Sequence, residues 1–164
     1  MLVVLDINGV LCETATRRRA YHQGVEAACL ARKKLVFMRP SLTQFLEFLF
    51  ANYEVAVWTS CPYFSAMPLV EAIFTPMQIA QLQFIFTRVN CELMRNYGSR
   101  KNLQAIWQLY PRYNAQNTLL LDDDAAKIVQ LENWIEVPKY IATTDNSKND
   151  TVLVDIINHL SNQQ

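Results

Sequence analysis

The sequence holds two histidines and four cysteines among 164 residues, and each scarcity removes a class of function. His22 and His159 are too few for a histidine-based metal cluster. Cys12, Cys29, Cys61 and Cys91 stand far apart with no C-x-x-C pair, so nothing reads as a zinc site. Reduced thiols in an intracellular protein are the plain expectation. No apolar run approaches the ~20 residues of a membrane span, and the short run after Met1 is no secretory signal core. Neither charge is in excess: 15 basic and 15 acidic residues cancel, which alone argues neither for nor against a nucleic-acid partner. No basic surface interleaved with aromatics is visible, so no nucleic acid is expected. Repeats and low-complexity tracts are absent too. The expectation is a soluble intracellular chain, which a membrane surface could still recruit peripherally.

What is present is apolar. A 51% hydrophobic and 18% charged composition over 164 residues predicts one domain, residues 1–164, with a substantial core. Leu2-Val3-Val4-Leu5 reads as a buried strand, and Glu54-Val55-Ala56-Val57-Trp58, Phe84-Ile85-Phe86-Thr87, Thr118-Leu119-Leu120-Leu121 and Trp134-Ile135-Glu136-Val137 read likewise. A further short strand or edge lies at Leu35–Met38. Leu42, Phe45, Leu46 and Leu49 recur at helical spacing, with Ser41 placed to cap that helix. Leu103, Ile106, Trp107 and Tyr110 form a second stripe, and Val152, Ile156, Ile157 and Leu160 a terminal one. Shorter helices are predicted within Tyr21–Ala31, over Leu69–Phe74 and over Ala125–Val129. Tyr97-Gly98-Ser99 is predicted to turn and Thr143–Asp150 to be a polar loop. Strands alternating with helices imply a doubly wound, mostly parallel α/β sheet with helices on both faces.

Open α/β sheets place chemistry beyond the carboxyl ends of their strands. There stand Asp6 and Asn8 after the first strand, Thr59 and Ser60 after the second, and Asp122, Asp123 and Asp124 after Leu121. With Lys101 they form a set suited to phosphoryl transfer, which needs a nucleophile, a hard cation and donors for the phosphoryl oxygens. Asp6 can attack phosphorus and lend an oxygen to magnesium. Asp122 can complete the metal shell with Asp123, since three consecutive carboxylates repel one another and favour a cation. Thr59 and Ser60 can cradle phosphate while Lys101 neutralises it. Taken singly, these residues also read as turn formers or caps, and Asp124 reads best as a cap.

The motifs also resemble a family. Leu5-Asp6-Ile7-Asn8-Gly9-Val10-Leu11, Arg39-Pro40, Tyr53–Ser60, Lys101-Asn102-Leu103 and Leu121-Asp122-Asp123 are similar, in order and spacing, to motifs of the haloacid-dehalogenase superfamily. Within it they resemble the phosphatase branch that acts on the C-terminal domain of RNA polymerase II. The resemblance implies a Rossmann-like sheet, a small insertion after the first strand, no large cap domain and magnesium dependence. It also implies an aspartyl-phosphate at Asp6 and a phosphorylated protein or peptide as substrate. In the family the position of Asn8 carries a second Asp, whose carbonyl binds magnesium and whose side chain is the general acid–base. Asn8 keeps the carbonyl and loses the acid, a loss worth ~10²–10⁴-fold. Aryl leaving groups such as tyrosine suffer least, because a phenolate is stable near pKa ~10. Three readings of Asn8 stand side by side: a module that binds phosphopeptide without turnover, a branch that uses Asn, and an altered residue.

Bland readings are kept for the remainder. Arg39 is expected in a structural ion pair, Cys61 as a half-buried small side chain, and Trp58 and Trp107 in the core. Arg17-Arg18-Arg19 and Arg32-Lys33-Lys34 are solvated faces of the insertion that could steer an acidic phosphopeptide or an anionic membrane.

Overall fold

The structure, a computed structural model, describes residues 1–17, 24–95 and 98–162. Its centre is a five-stranded parallel sheet in the order β10-β9-β1-β5-β6. These strands are β1 (Leu2–Leu5), β5 (Glu54–Trp58), β6 (Ile85–Phe86), β9 (Thr118–Asp122) and β10 (Trp134–Glu136). A strand covered on both faces can be apolar at every position, as all four residues of β1 are. The alternation of side chains then sorts them. Val3, Leu5, Val55, Val57 and Leu121 join one core cluster, while Leu2, Val4, Ala56, Trp58 and Leu120 join the other.

Helices close both faces. Helix α1 (Leu42–Asn52) buries Leu42, Phe45, Leu46 and Leu49 against the first cluster. That cluster also receives α2 (Tyr63–Ile73) through Leu69, Val70 and Ile73, and α6 (Val152–Ser161) through Leu153, Ile156 and Leu160. Helix α4 (Gln104–Leu109), with Leu103 before it, covers the opposite face. Phe45 is wholly buried, so Phe45→Ala should lower unfolding stability by about 3–5 kcal/mol. Urea denaturation measures this, and a midpoint unchanged from the parent would show that the stripe does not carry the core.

Between β1 and α1 lies the insertion, a three-stranded antiparallel sheet in the order β2-β4-β3. It comprises β2 (Cys12–Ala15), β3 (Cys29–Ala31) and β4 (Lys34–Met38). The helix expected within Tyr21–Ala31 is corrected at its end: Cys29 pairs with Val36 and Ala31 with Lys34. Cross-strand pairing there overrides helix propensity, which is a weak determinant even for alanine, the best helix former. Residues 24–28 are irregular rather than helical, and the start of the expected helix, like Arg18 and Arg19 before it, falls within residues 18–23, outside the described residues. The two-residue turn at Arg32-Lys33 puts Arg32 at φ 57, a left-handed conformation that costs a non-glycine residue about 1–2 kcal/mol.

Other expectations shift in extent. Helix α2 starts at Tyr63 rather than Leu69 and carries Pro68 inside it. Proline has no N–H for the carbonyl four residues back, and the freed Phe64 carbonyl accepts from Arg32 Nη1 at 3.2 Å. Ser41 does precede α1 but does not cap it: at φ 62 its hydroxyl is not aimed at the first turn, since a capping residue needs extended dihedrals. Ala125–Lys127 is a single 3-10 turn rather than a longer helix. The backbone beyond it is drawn off to Lys101, whose N–H donates to Lys127 O and whose carbonyl accepts from Val129 N. Two helices were not foreseen, α3 (Pro76–Gln81) and α5 (Thr144–Asn149). The Thr75–Gln78 capping box opens the first, and Thr143 caps the second through Asn146 N. A small antiparallel ribbon, β7 (Glu92–Leu93) with β8 (Ser99–Arg100), flanks the expected turn at Tyr97, which lies outside the described residues. No helix among the described residues is long and apolar enough to cross a membrane.

Candidate active site

Register fixes where the polar strand ends meet. Leu5 pairs with Val57 on one side and Leu121 on the other. Asp6 and Asp122 therefore leave the sheet side by side, and the Asp6 N–H donates to Leu121 O at 3.0 Å. Lys101 reaches them from the loop before α4. Its Nζ lies 2.8 Å from Asp6 Oδ1 and 2.5 Å from Asp122 Oδ2, and its side chain has no solvent exposure. Arg100, the neighbouring cation in sequence, is exposed instead.

Burying three charges together is costly unless each is paired and hydrogen-bonded. Here Asp122 also accepts from Asp124 N at 3.0 Å, and Trp134 Nε1 donates to the Asp122 carbonyl. Burial pushes the Asp6 carboxyl up to about 6, with Lys101 pulling it down and Asp122 adding to the rise. For Lys101, burial lowers the ammonium, but the Asp6 and Asp122 carboxylates outweigh it and the group is raised. The arrangement is a fixed, fully buried cation between two carboxylates, of which Asp6 alone keeps a small exposure.

The run Asp122-Asp123-Asp124 does not stand as three unpaired charges. Asp122 has Lys101, Asp123 Oδ2 lies 3.2 Å from Lys139 Nζ, and Asp124 Oδ2 lies 3.2 Å from Lys127 Nζ. Asp124 also caps the Ala125 turn through Ala126 N. Each aspartate has its own lysine. One acceptor is left over: Asp123 Oδ1 is buried with no hydrogen-bond partner among the described residues. Oxygens of Asp6, Asp122 and Asp123 lie within 4.8 Å of one another. Three clustered carboxylates, one of them with an oxygen left unpartnered, are a donor set that a hard cation such as magnesium takes, so the residues fit that ion. Gly9 makes the approach possible. It sits at φ +89, and a Cβ there would collide with the Asp123 carboxylate.

Thr59, buried at the end of β5, accepts from Cys61 N at 3.2 Å through Oγ1, which leaves its hydroxyl hydrogen to donate elsewhere. Ser60 Oγ is buried and unpartnered among the described residues. Asn8 is half-buried, and both ends of its amide are engaged. Thr14 Oγ1 donates to Asn8 Oδ1 at 3.0 Å, and Asn8 Nδ2 donates to Cys61 Sγ at 3.5 Å. Cys61 is thus a partner of Asn8.

Residues away from the strand ends support this loop. Arg39 uses all five guanidinium N–H groups: two on Asp150, two on the Gly9 and Val10 carbonyls, and one on Pro138 O. Its expected structural ion pair is present, with Asp150 as the partner. Asp150, Lys139 and Thr14 carry no local pattern that could have marked them, because their partners are remote in sequence.

Comparison with known proteins bears on the family and the fold. The description of the NLI interacting factor-like phosphatases matches residues 1–164. The chain is 28% identical over 174 residues to an FCP1 homology domain-containing protein of Schizosaccharomyces pombe, covering 97% of this chain and 69% of that one. It is 28% identical over 129 residues to a CTD phosphatase-like protein of Invertebrate iridescent virus 3, covering 74% and 69%. Among solved structures, Fcp1, an essential RNA polymerase II CTD phosphatase, superposes with a TM-score of 0.63 at 14% identity over 97% of this chain. Fission yeast Fcp1 bound to beryllium fluoride gives 0.64 at 16% identity over 99%. These two likenesses show the fold, and the chain spans about half the length of those solved chains.

Proposed function

The chain belongs to the NLI interacting factor-like phosphatase family of haloacid-dehalogenase folds, and from that premise we propose that it is a magnesium-dependent phosphomonoesterase. Its substrate is a phosphorylated protein side chain, and its working unit is residues 1–164. The observation that carries this reading is the buried Asp6–Lys101–Asp122 cluster with the orphaned Asp123 oxygen beside it. Four free cysteines support a reducing, intracellular setting.

Asp6 attacks phosphorus: a bond from its carboxylate oxygen to phosphorus forms while the bond to the leaving oxygen breaks, and the leaving group departs with the electron pair. Water then attacks phosphorus, releasing inorganic phosphate and restoring the carboxylate. Lys101 has three N–H donors and spends two on Asp6 and Asp122, so the third serves a phosphoryl oxygen. Thr59 and Ser60 supply hydroxyl donors beside it. Asp6, Asp122, Asp123 and the Asn8 carbonyl would hold magnesium, which would supply Lewis acidity towards the phosphoryl oxygens.

Asn8 cannot give a proton to the leaving oxygen, and its amide is already tied to Thr14 and Cys61. Substrates that leave as phenolates are therefore favoured over serine or threonine esters, although the family likeness points to the latter. Asn8→Asp should raise kcat on an alkyl phosphate by about 10²-fold or more and on a nitrophenyl phosphate by much less. Steady-state assays of both substrates measure the split, and no gain on either would sink this account of the leaving group.

The reading as a whole is tested with purified protein, magnesium, an aryl phosphate and matched phosphotyrosine and phosphoserine peptides. Turnover abolished by EDTA, ranked aryl over alkyl, is expected. Asn8 favours one second reading, a phosphopeptide-binding module. Peptide binding with no turnover would put it in place of the enzyme.

A further inference from the structure

We propose that the cleft between the β3–β4 hairpin and α2 is a subsite for a second anionic group on the substrate, a carboxylate or a further phosphate flanking the phosphorylated residue. The proposal rests on the phosphopeptide reading above and adds a sequence preference to it.

The cleft has a volume of about 300 Å³ and adjoins the candidate active site through Asn8 and Cys61, which line it. Ala31 and Leu69 give it apolar walls, and Arg32, Lys33 and Lys34 are its charged lining. It carries three cations and no carboxylate among its described lining residues. Like charges in sequence repel one another, and an anion between them relieves the repulsion. A flat basic face would suit a membrane surface. Cations around a cleft that opens beside the catalytic strand end suit a group carried on the same chain as the scissile phosphate.

Arg32 is held in place rather than free to sweep solvent. Its Nη1 donates to the Phe64 carbonyl that Pro68 leaves unsatisfied, and its guanidinium lies 4.7 Å above the Phe64 ring. A side chain braced in this way loses less entropy when it binds an anion. Its backbone sits at φ 57, where glycine would be less strained. The turn does not need an arginine, and the position supplies a cation at the cleft nonetheless. Lys33 and Lys34 are exposed on the same hairpin.

The test uses the full chain carrying Asp6→Asn, so that binding is read without hydrolysis. Three fluorescent peptides share one phosphorylated residue and differ in its neighbours: alanine, glutamate or phosphoserine. Anisotropy titration should show the two anionic peptides binding about 3–10-fold tighter than the neutral one. That ratio should fall towards one as salt rises from about 0.05 M to about 0.5 M. Charge reversal by Lys33→Glu with Lys34→Glu should remove the preference or invert it, and Arg32→Gly should reduce it while relieving the turn. Equal binding of the three peptides, or a preference that survives charge reversal, overturns the proposal. Displacement of all three by phosphatidylserine vesicles would assign the cations to a membrane instead. Absence of turnover in the parent protein sinks the enzyme reading and leaves this binding ratio standing on its own measurement.

Discussion

Asp6→Asn protein, assayed with an aryl phosphate and magnesium, turns over at least about 10³-fold more slowly than the parent, because the atom that would form the bond to phosphorus becomes a neutral amide. The amide is nearly isosteric, and its oxygen can still accept from Lys101 Nζ, which lies 2.8 Å from Asp6 Oδ1. The fold should therefore survive, with an unchanged far-ultraviolet circular dichroism spectrum. Rapid-quench trapping with labelled substrate gives a second readout: the parent acquires acid-stable, hydroxylamine-labile phosphate and the variant does not. Retained activity in the purified variant would remove Asp6 from the role of nucleophile.

Lys101→Met should destabilise the fold as strongly as a large cavity in the core. The methionine fills much of the space of the lysine stem, so the loss comes mainly from the charge. It leaves the Asp6 and Asp122 carboxylates buried, close together and without a cation. Removing one partner of a buried ion cluster costs about 3–5 kcal/mol, which for a chain of this size is a fall of about 6–20 °C in Tm. The same variant separates lysine from metal. A divalent cation bound among Asp6, Asp122 and Asp123 replaces part of the missing charge, so millimolar magnesium should raise the variant's Tm by more than the parent's. Differential scanning calorimetry with magnesium and with EDTA gives both numbers. A variant as stable as the parent in EDTA would mean that the pair does not hold the site together.

The elements most legible in the sequence are those whose neighbours cannot alter their pattern. Strands β1, β5 and β9 lie inside the sheet and are covered on both faces, so their apolar runs end abruptly at Asp6, Thr59 and Asp122. Helix α1 declares itself through four buried residues at helical spacing. Less legible were elements made by their partners. Strand β3 exists because Val36 and Leu35 pair with it, and three residues are too few to show a period. The capping signals at Thr75 and Thr143 are visible in the sequence, but each opens a helix of only six residues, too short to show an apolar period, and the second lies in a polar stretch that reads as a loop.

The candidate site divides along the same line. The residues at strand ends could be named from position, and the structure brings Asp6, Lys101 and Asp122 into direct contact. What surrounds them could not be named. The lysine that answers each of Asp122, Asp123 and Asp124 is set by tertiary placement, as is the reach of Arg39 to Asp150 across 111 positions. Charge repulsion within a run is visible in sequence, and its relief by remote residues is not.

The central place of β1 also governs the order in which the protein can be made. Leu2 pairs with Glu54 on one side and with Thr118 on the other, so during synthesis the most apolar strand of the sheet gains its first partner early and its second only late. Between those moments Leu2-Val3-Val4-Leu5 presents an open edge, the feature on which nascent chains aggregate. The same interval leaves Asp6 without Asp122. A chain halted before β9 emerges therefore lacks the second partner of β1 and the carboxylate that completes its charge cluster.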